Sequence, residues 1–418
     1  MSTASKATSA LGHLRICDLS GQLAGAGSTR FLAALGAEVI RVEDPVLQGR
    51  WDIVRGSMPY RDERRGIELG GAFNNHNVEK LGVTINLRTE RGRELLRRLV
   101  AVSDAVTENF AAGVLARLGF SYEELKAIKP DIIYVSNSGF GHTGPYAGFK
   151  TFGPIVQACC GLTATSGLAG QPPAGWGYSY MDHHGGYFMA MALLAAVVHR
   201  NRTGEGQWVD MSCTEAGLAL AGGPELLDAT VNGRTQRREG FPDSNHSRSP
   251  AMAPHGIYPS AGDDDWVAIA CRDDRDWTGV AAAIGEPWTG DDRWATLEGR
   301  LAAEPELDEL VARWTRARSR EDAVERLKAH GVPATWVARP EDRIEHDPAT
   351  AAWGLWPTAH HPEIGDVRVD GVPLHLSATD WSIRRGAPLL GEHNEQVFCG
   401  VLGLSREELD ELAAEGAI

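Results

Sequence analysis

The sequence predicts an α/β fold, with a large Rossmann-like domain built on a mainly parallel sheet and a smaller α/β domain beside it. Three observations carry that prediction. Apolar strand-like runs alternate with helix-length segments along the first half of the chain. Glycine-rich turns separate them. From about Ala229 the texture changes to polar, Pro-rich and charged stretches, and a second series of strand and helix patterns begins beyond it.

From Leu14 the chain reads LRICDLSGQLAGAGSTRFLAALGAEVIRVEDP. This is a strand, a Gly-rich turn, a short helix ending near Gly36 and a β-branched strand, which together make a βαβ opening. The rhythm returns in TERGRELLRRLVAVSDAVTENF, and again where Ser121 and Glu124 form a capping box, Lys129-Pro130 stops the helix and DIIYVSNS supplies a strand. Repeated crossovers of this kind imply parallel strands covered by helices on both faces. A long helical pattern from Tyr187 to Arg200 is halted by NRTGEGQ and followed by the strand-like WVDMS.

The stretch from Asn232 to Pro254 reads as a linker or mobile loop between domains. Beyond it, DDWVAIAC is a strand, and Ser319 to His330 is a helix with Gly331 as its terminator. GVPATWVARPEDRIEHDP reads as a connection returning to the large domain, and Ser405 with Glu408 as a capping box opening a last helix. The large domain is therefore expected to comprise residues 1–225 and 340–418, and the small domain 226–339.

Composition narrows the function. The 418 residues carry 41 Lys plus Arg against 56 Asp plus Glu, a net charge of −15, which disfavours a nucleic-acid partner. A small anionic ligand needs only a locally basic pocket. The apolar run from Tyr187 to Val198 falls short of the ~20 residues that cross a bilayer, so no membrane association is expected. Met1 to Leu11 lacks the apolar core of a signal peptide, which predicts a cytoplasmic location. The six cysteines form no CxxC pair and are expected to be reduced thiols.

Two places invite chemistry. Gly21, Gly25 and Gly27 suggest a dinucleotide loop, but their spacing is not GxGxxG, and they read more simply as turn glycines. The stretch GWGYSYMDHHGGYFMAMALLAAVVHR places Asp182 just before a long apolar helix. One reading makes Asp182 a helix N-cap, with Gly185 and Gly186 allowing close packing. The other uses the same geometry: a carboxylate kept ionised by the helix dipole is a possible nucleophile, and the glycines admit a bulky ligand. His183 and His184 point in different directions on a helix and lack a third ligand, so no metal is expected.

These motifs, taken in order, resemble the class III CoA-transferase family, the group of formyl-CoA transferase and carnitine CoA-transferase. The resemblance rests on LSGQLAGAGSTRFLAALGAEVIRVE, EKLGVTINLRTERGRELLRRL, ENFAAGVLARLGFSYEELKAIKPDIIYVSNSGFG, the Asp182 helix through HRNRTGEGQWVDMS, GVPATWV and APLLGEH. It implies an interlocked homodimer that uses coenzyme A and acyl-CoA as substrates, with no tightly bound cofactor. It also implies that Asp182 attacks an acyl-CoA thioester, becomes an aspartyl-CoA thioester by way of a mixed anhydride, and passes CoA to a carboxylic acid acceptor. Backbone N–H groups near Gly185 and Gly186, or from another loop, would steady the oxyanions.

By the same resemblance Leu23 and Ala24 lie along CoA. Ile85, Leu87 and Arg88 lie beside its adenine and ribose, with Asn86 in place of the usual Asp. Asn109, Phe110 and Ala111 contact the pantetheine, and Arg117 and Lys150 stand near phosphate and the active site. Two departures matter. Asp44 replaces an Arg that follows the second strand in formyl-CoA transferase, and SPAMAPHGIYPSAGDDDW replaces that enzyme's tetraglycine loop. Together with Phe152, Trp176, Tyr178 and Tyr180, the second departure points to a branched or aryl-substituted dicarboxylate as acceptor and succinyl-CoA as donor.

The nearest alternative is α-methylacyl-CoA racemase, which shares the fold and uses a His–Asp pair. Here the corresponding segment reads AGFKTFG, and no His occurs between His142 and Asp182. A nicotinamide-dependent dehydrogenase and a catalytically silent CoA-binding protein are the alternatives from other classes.

Overall fold

The computed structural model describes residues 9–168, 170–221, 230–233 and 243–418. The chain divides into two compact units, one of residues 1–163, 175–235 and 350–418, the other of residues 164–174 and 236–349.

The first unit is built on a six-stranded sheet. Its strands are β1 (Arg15–Asp18), β2 (Glu38–Glu43), β3 (Leu81–Thr84), β4 (Ala105–Glu108), β5 (Ile133–Ser138) and β6 (Trp208–Ser212). All neighbours pair in parallel, in the order β3-β2-β1-β4-β5-β6. This is the doubly wound order, in which the chain leaves β1 in one direction and reaches β4 in the other, opening a crevice at their carboxyl ends. Helices α1 (Ala24–Ala34), α2 (Glu90–Ala101), α3 (Tyr122–Ile128) and, after the short α4 (Gly153–Cys159) that packs on it, α5 (Tyr180–Thr203) accompany the sheet.

Local chemistry sets the element ends. Thr89 caps α2 by accepting from Gly92 N–H, and Ser121 and Glu124 close the expected capping box at α3. In β5 the period of two is explicit: Ile133 and Val135 join Leu32, Val39 and Leu193 on one face, while Tyr134 joins Leu99, Val106 and Phe120 on the other. The helix Arg406–Ala414 opens on the Ser405 and Glu408 capping box and buries Leu412 in the second of these clusters. Asn86 ties this end of the chain to β3, donating from its backbone to the Ala417 carbonyl and from its side chain to that of Gly416, both at 2.8 Å.

The second unit contains the antiparallel strands β7 (His255–Pro259), β8 (Trp266–Ala270) and β9 (Ala334–Trp336), ordered β9-β8-β7. Helices α6 (Asp274–Ile284), α7 (Glu304–Arg316) and α8 (Arg320–Ala329) supply its core, in which Trp277, Trp294, Val311, Trp314 and Leu327 are buried. Ser319 caps α8 and Gly331 follows it in the left-handed region, as the pattern predicts. Two expectations change here. GVPATWV contributes β9, a strand of this unit, because Ala334 to Trp336 find a pairing partner in β8. Within the stretch expected as a linker, residues 243–254 are anchored. His246 lies 3.0 Å from Asp243 and 2.8 Å from Asp308, and Ser247–Arg248 pairs with Ala251–Met252. Residues 234–242 of that stretch lie outside the described residues. Among the described residues no helix is long and apolar enough to cross a membrane.

Candidate active site

The carboxyl ends of β1 and β4 are joined by side chains. Asp18, the last residue of β1, is fully buried and accepts from Ser20 N–H (3.1 Å), Thr29 Oγ1 (2.7 Å), Thr107 Oγ1 (2.9 Å), Lys80 Nζ (3.2 Å) and the Ser20 hydroxyl. The Lys80 and Arg41 cations, with these hydroxyls, hold its carboxyl below the usual range in spite of burial. Arg41 extends the network, donating to the Ser20 carbonyl at 2.7 Å and to Asp52 at 2.6 Å. The loop from Leu19 to Leu23 therefore rests on a buried set of paired charges.

In that loop the left-handed residue is Gln22, at φ 54°, and not Gly21, while Gly25 and Gly27, expected as turn glycines, lie within α1. Two of those glycines answer to close approach. A Cβ on Gly21 would lie 2.4 Å from the Trp51 ring, and one on Gly25 would lie 2.7 Å from Asn109 Cγ. Asn109, just past β4, grips Gly21 from both sides, accepting from its N–H at 2.8 Å and donating to its carbonyl at 3.0 Å. Phe110 packs on Trp51 with centroids 5.2 Å apart, and its N–H is held by Glu108 at 2.6 Å.

The helix α5 starts earlier than its apolar pattern suggests. Ser179 is the N-cap residue, so Asp182 sits in the first turn, where the reading of it as the cap had placed the helix boundary. The Ser179 hydroxyl and the Gly153 N–H lie close to the Asp182 carboxylate and act to lower its pKa. Burial outweighs these donors and pushes its pKa from 3.8 to about 6, against the expectation that the helix end alone would keep it fully ionised. A carboxylate of this kind is ionised at neutral pH and more basic than an exposed one, which suits a nucleophile.

The glycines of this helix serve packing. A Cβ on Gly186 would lie 2.7 Å from the Ala24 carbonyl oxygen of α1, and one on Gly185 would lie 2.6 Å from Cys213 Sγ. Both stand beyond the first turn, where helical geometry commits the N–H groups internally. They therefore do not present the free oxyanion donors expected of them. His183 and His184 diverge as expected: His183 Nε2 meets the Tyr178 hydroxyl at 3.0 Å, and His184 Nε2 meets the Ala216 carbonyl at 2.9 Å.

The remaining sequence-predicted residues fall into three groups. Leu23 is the N-cap residue of α1, and Ala24 packs with Val156, Met181 and Cys213, so this loop and the start of α5 share one apolar cluster. Ile85 is buried, Leu87 is half-buried, and Arg88 is exposed and lies 3.6 Å from Asp44. The acidic departure at Asp44 thus has a cationic partner within this chain. Ala111 is half-buried and accepts from Val114 N–H at 3.1 Å. Arg117 and Lys150 are exposed, and no side-chain hydrogen bond or ion pair among the described residues joins either to the Asp182 group.

Sequence reasoning missed Gly153, Trp51 and Ser179. Only Ser179 had a signal, since Ser179 and Asp182 stand at the S-x-x-D spacing that opens a helix.

Comparison with known proteins shows the family. The model of the family described as CoA-transferase family III matches residues 11–394. The succinyl-CoA–D-citramalate CoA-transferase of Chloroflexus aurantiacus is 34% identical over 409 residues, which span 98% of each chain. The formyl-CoA:oxalate CoA-transferase of Streptomyces coelicolor is 32% identical over 425 residues, covering 98% of this chain and 99% of its own. A crystal structure of a CAIB/BAIF family protein from Brucella suis superposes with a TM-score of 0.83 at 31% identity, over 93% of this chain and 98% of the other. The chain is an enzyme and belongs to CoA-transferase family III.

Proposed function

We propose that the enzyme moves CoA from an acyl-CoA to a carboxylic acid through an aspartyl-CoA thioester on Asp182. The observation that carries this reading is the setting of Asp182: a carboxylate of raised basicity packed against Gly153 and Ser179, in a helix whose start shares an apolar cluster with the first residue of α1. Its oxygen attacks the thioester carbonyl, giving a mixed anhydride and CoA thiolate. The thiolate then attacks the anhydride at the Asp182 carbonyl carbon and releases the donor acid. The acceptor carboxylate reverses the two steps. Each step exchanges one activated acyl bond for another, so the transfer needs no ATP.

Leu23, Ala24, Asn109, Phe110 and Ala111 are the residues we assign to the pantetheine side, with Ile85, Leu87 and Arg88 toward the nucleotide and Arg117 and Lys150 supplying charge. Succinyl-CoA is the donor we favour, because the Chloroflexus relative is named for it. Phe152, Trp176, Tyr178 and Tyr180 are all exposed and support a branched or aryl-substituted acceptor. The family resemblance supports an interlocked homodimer.

Incubation with succinyl-CoA followed by hydroxylamine tests the reading. A hydroxamate at Asp182, located by peptide mass spectrometry, is the expected result. An unmodified Asp182 combined with solvent exchange of the α-proton of a 2-methylacyl-CoA would replace this reading with the racemase.

A further inference from the structure

The Asp182 mechanism creates tetrahedral centres of two kinds, on the substrate carbonyl and on the enzyme's own Asp182 carbonyl carbon. Donors for the second kind need no access from solvent, because the charged oxygen belongs to the protein. They can be buried, and a donor placed for the acylated geometry, out of reach of the resting carboxylate, stands unpartnered until the intermediate forms.

Asn137 meets that description. It lies near the carboxyl end of β5, on the face that carries Ile133 and Val135 toward α5, and is 2% exposed. Its side-chain oxygen accepts from Cys213 Sγ at 3.1 Å. Burial pushes the Cys213 pKa up to about 12, so the sulfur carries a proton to donate. With the oxygen turned to the thiol, Nδ2 is the end without a hydrogen-bond partner among the described residues. Unpartnered buried donors are costly and rare. The empty side of this one faces α5: Nδ2 lies 3.7 Å from the position a Cβ would take on Gly185, and that same Cβ would lie 2.6 Å from Cys213 Sγ. Asp182 is three residues before Gly185, the neighbouring position on one helix face.

We propose that Asn137 is a catalytic residue, its Nδ2 donating to the Asp182 oxygen that becomes negative when CoA thiolate attacks the Asp182 carbonyl carbon. This rests on the aspartyl-thioester reading above. In the step, the thiolate sulfur forms a bond to Cγ and the carbonyl π pair moves onto the non-bridging Asp182 oxygen, the one the proposal assigns to Asn137. Collapse of that oxyanion restores the double bond and breaks the bond from Cγ to the bridging oxygen, which departs with the donor acid as its carboxylate. No proton is required. Gly153 N–H and the Ser179 hydroxyl already stand close to this carboxyl group, and Asn137 adds a donor without another partner among the described residues.

The test compares wild type with Asn137→Ala and with Asn137→Leu, which keeps the shape and removes the donor. Removing one oxyanion donor lowers kcat by about 100-fold. That loss is expected in both variants, with KM for succinyl-CoA, calorimetric affinity for CoA and melting temperature near wild type. Slower appearance of the Asp182 thioester in a quenched single turnover should accompany it. A kcat within threefold of wild type in either folded variant overturns the proposal. So does a loss of kcat matched by loss of CoA affinity or of melting temperature in both, which would make Asn137 a packing residue. A wild-type enzyme that yields no Asp182 adduct overturns the mechanistic reading itself, and this proposal with it.

Discussion

Gly153 stands against Asp182 so closely that a Cβ at this position would lie 2.8 Å from the carboxylate Oδ2, and equally close to the Ser179 Cβ. The glycine opens α4 with ordinary backbone angles, so the constraint is space alone. Gly153→Ala should push the carboxylate away from its donors. Since a displacement of ~1 Å in a reacting group costs up to about 100-fold, kcat should fall by roughly 10- to 100-fold. CoA affinity by calorimetry should remain within about threefold of wild type.

The raised pKa of Asp182 predicts a pH profile. Only the anion attacks, so kcat/KM should fall as pH drops below about 6, with the slope of a single proton. A profile flat from pH 5 to 8 would remove Asp182 from the free enzyme's rate equation.

The same shift makes a stability prediction of opposite sense. The folded pKa lies above the unfolded one, so the folded state binds the extra proton between pH 4 and 6. Its stabilisation is complete below that window and is lost as pH rises through it. The shift from 3.8 to about 6 corresponds to about 3 kcal/mol. Asp182→Asn should therefore unfold in urea at a higher midpoint than wild type at pH 8, with little difference at pH 4, while retaining CoA binding and losing transfer.

Much of this arrangement was legible in the chain's own text, and the exceptions share a cause. The alternation of β-branched runs with capped helices predicted the parallel sheet, and the Ser121 and Ser405 capping boxes form as the spacing requires. Position 182 stood out because a carboxylate, two histidines and two glycines meet where an apolar helix begins. Pairing was not legible. Arg41, Glu43, Asp52 and Arg55 read as ordinary charged residues, yet all are buried. Arg41 and Arg55 flank the Phe73 ring, with their guanidinium carbons 5.0 and 4.2 Å from its centroid. Which charges meet is decided by the sheet order, which brings Lys80 of one crossover to Asp18 of another across 62 residues. The Asp44 and Arg88 contact likewise depends on β2 and β3 lying side by side.

That buried network can be tested directly. Lys80→Met keeps most of the stem's volume and leaves Asp18 without its ammonium partner. Breaking a buried pair in this way costs about 3 to 5 kcal/mol. Urea unfolding should show a loss of that size, reduced toward its lower end because Arg41 still supplies positive potential.

Asn109 offers a milder lesion. Asn109→Ala removes both hydrogen bonds to Gly21, each contributing about 0.5 to 1.5 kcal/mol. Stability should drop by about 1 to 3 kcal/mol in urea. If the Leu23 loop binds CoA, its dissociation constant should rise by about tenfold.

The anchoring of the loop after β1 also bears on how a long, flexible ligand is captured. Ser20, Gly21 and the start of α1 are fixed by Asp18, Arg41 and Asn109 in the free chain. Binding therefore does not have to freeze that segment, and the ordering entropy of association falls mainly on the ligand's own rotatable bonds. Calorimetry should accordingly find a heat-capacity change no larger than the apolar surface covered by the ligand explains, without the additional component of a folding loop.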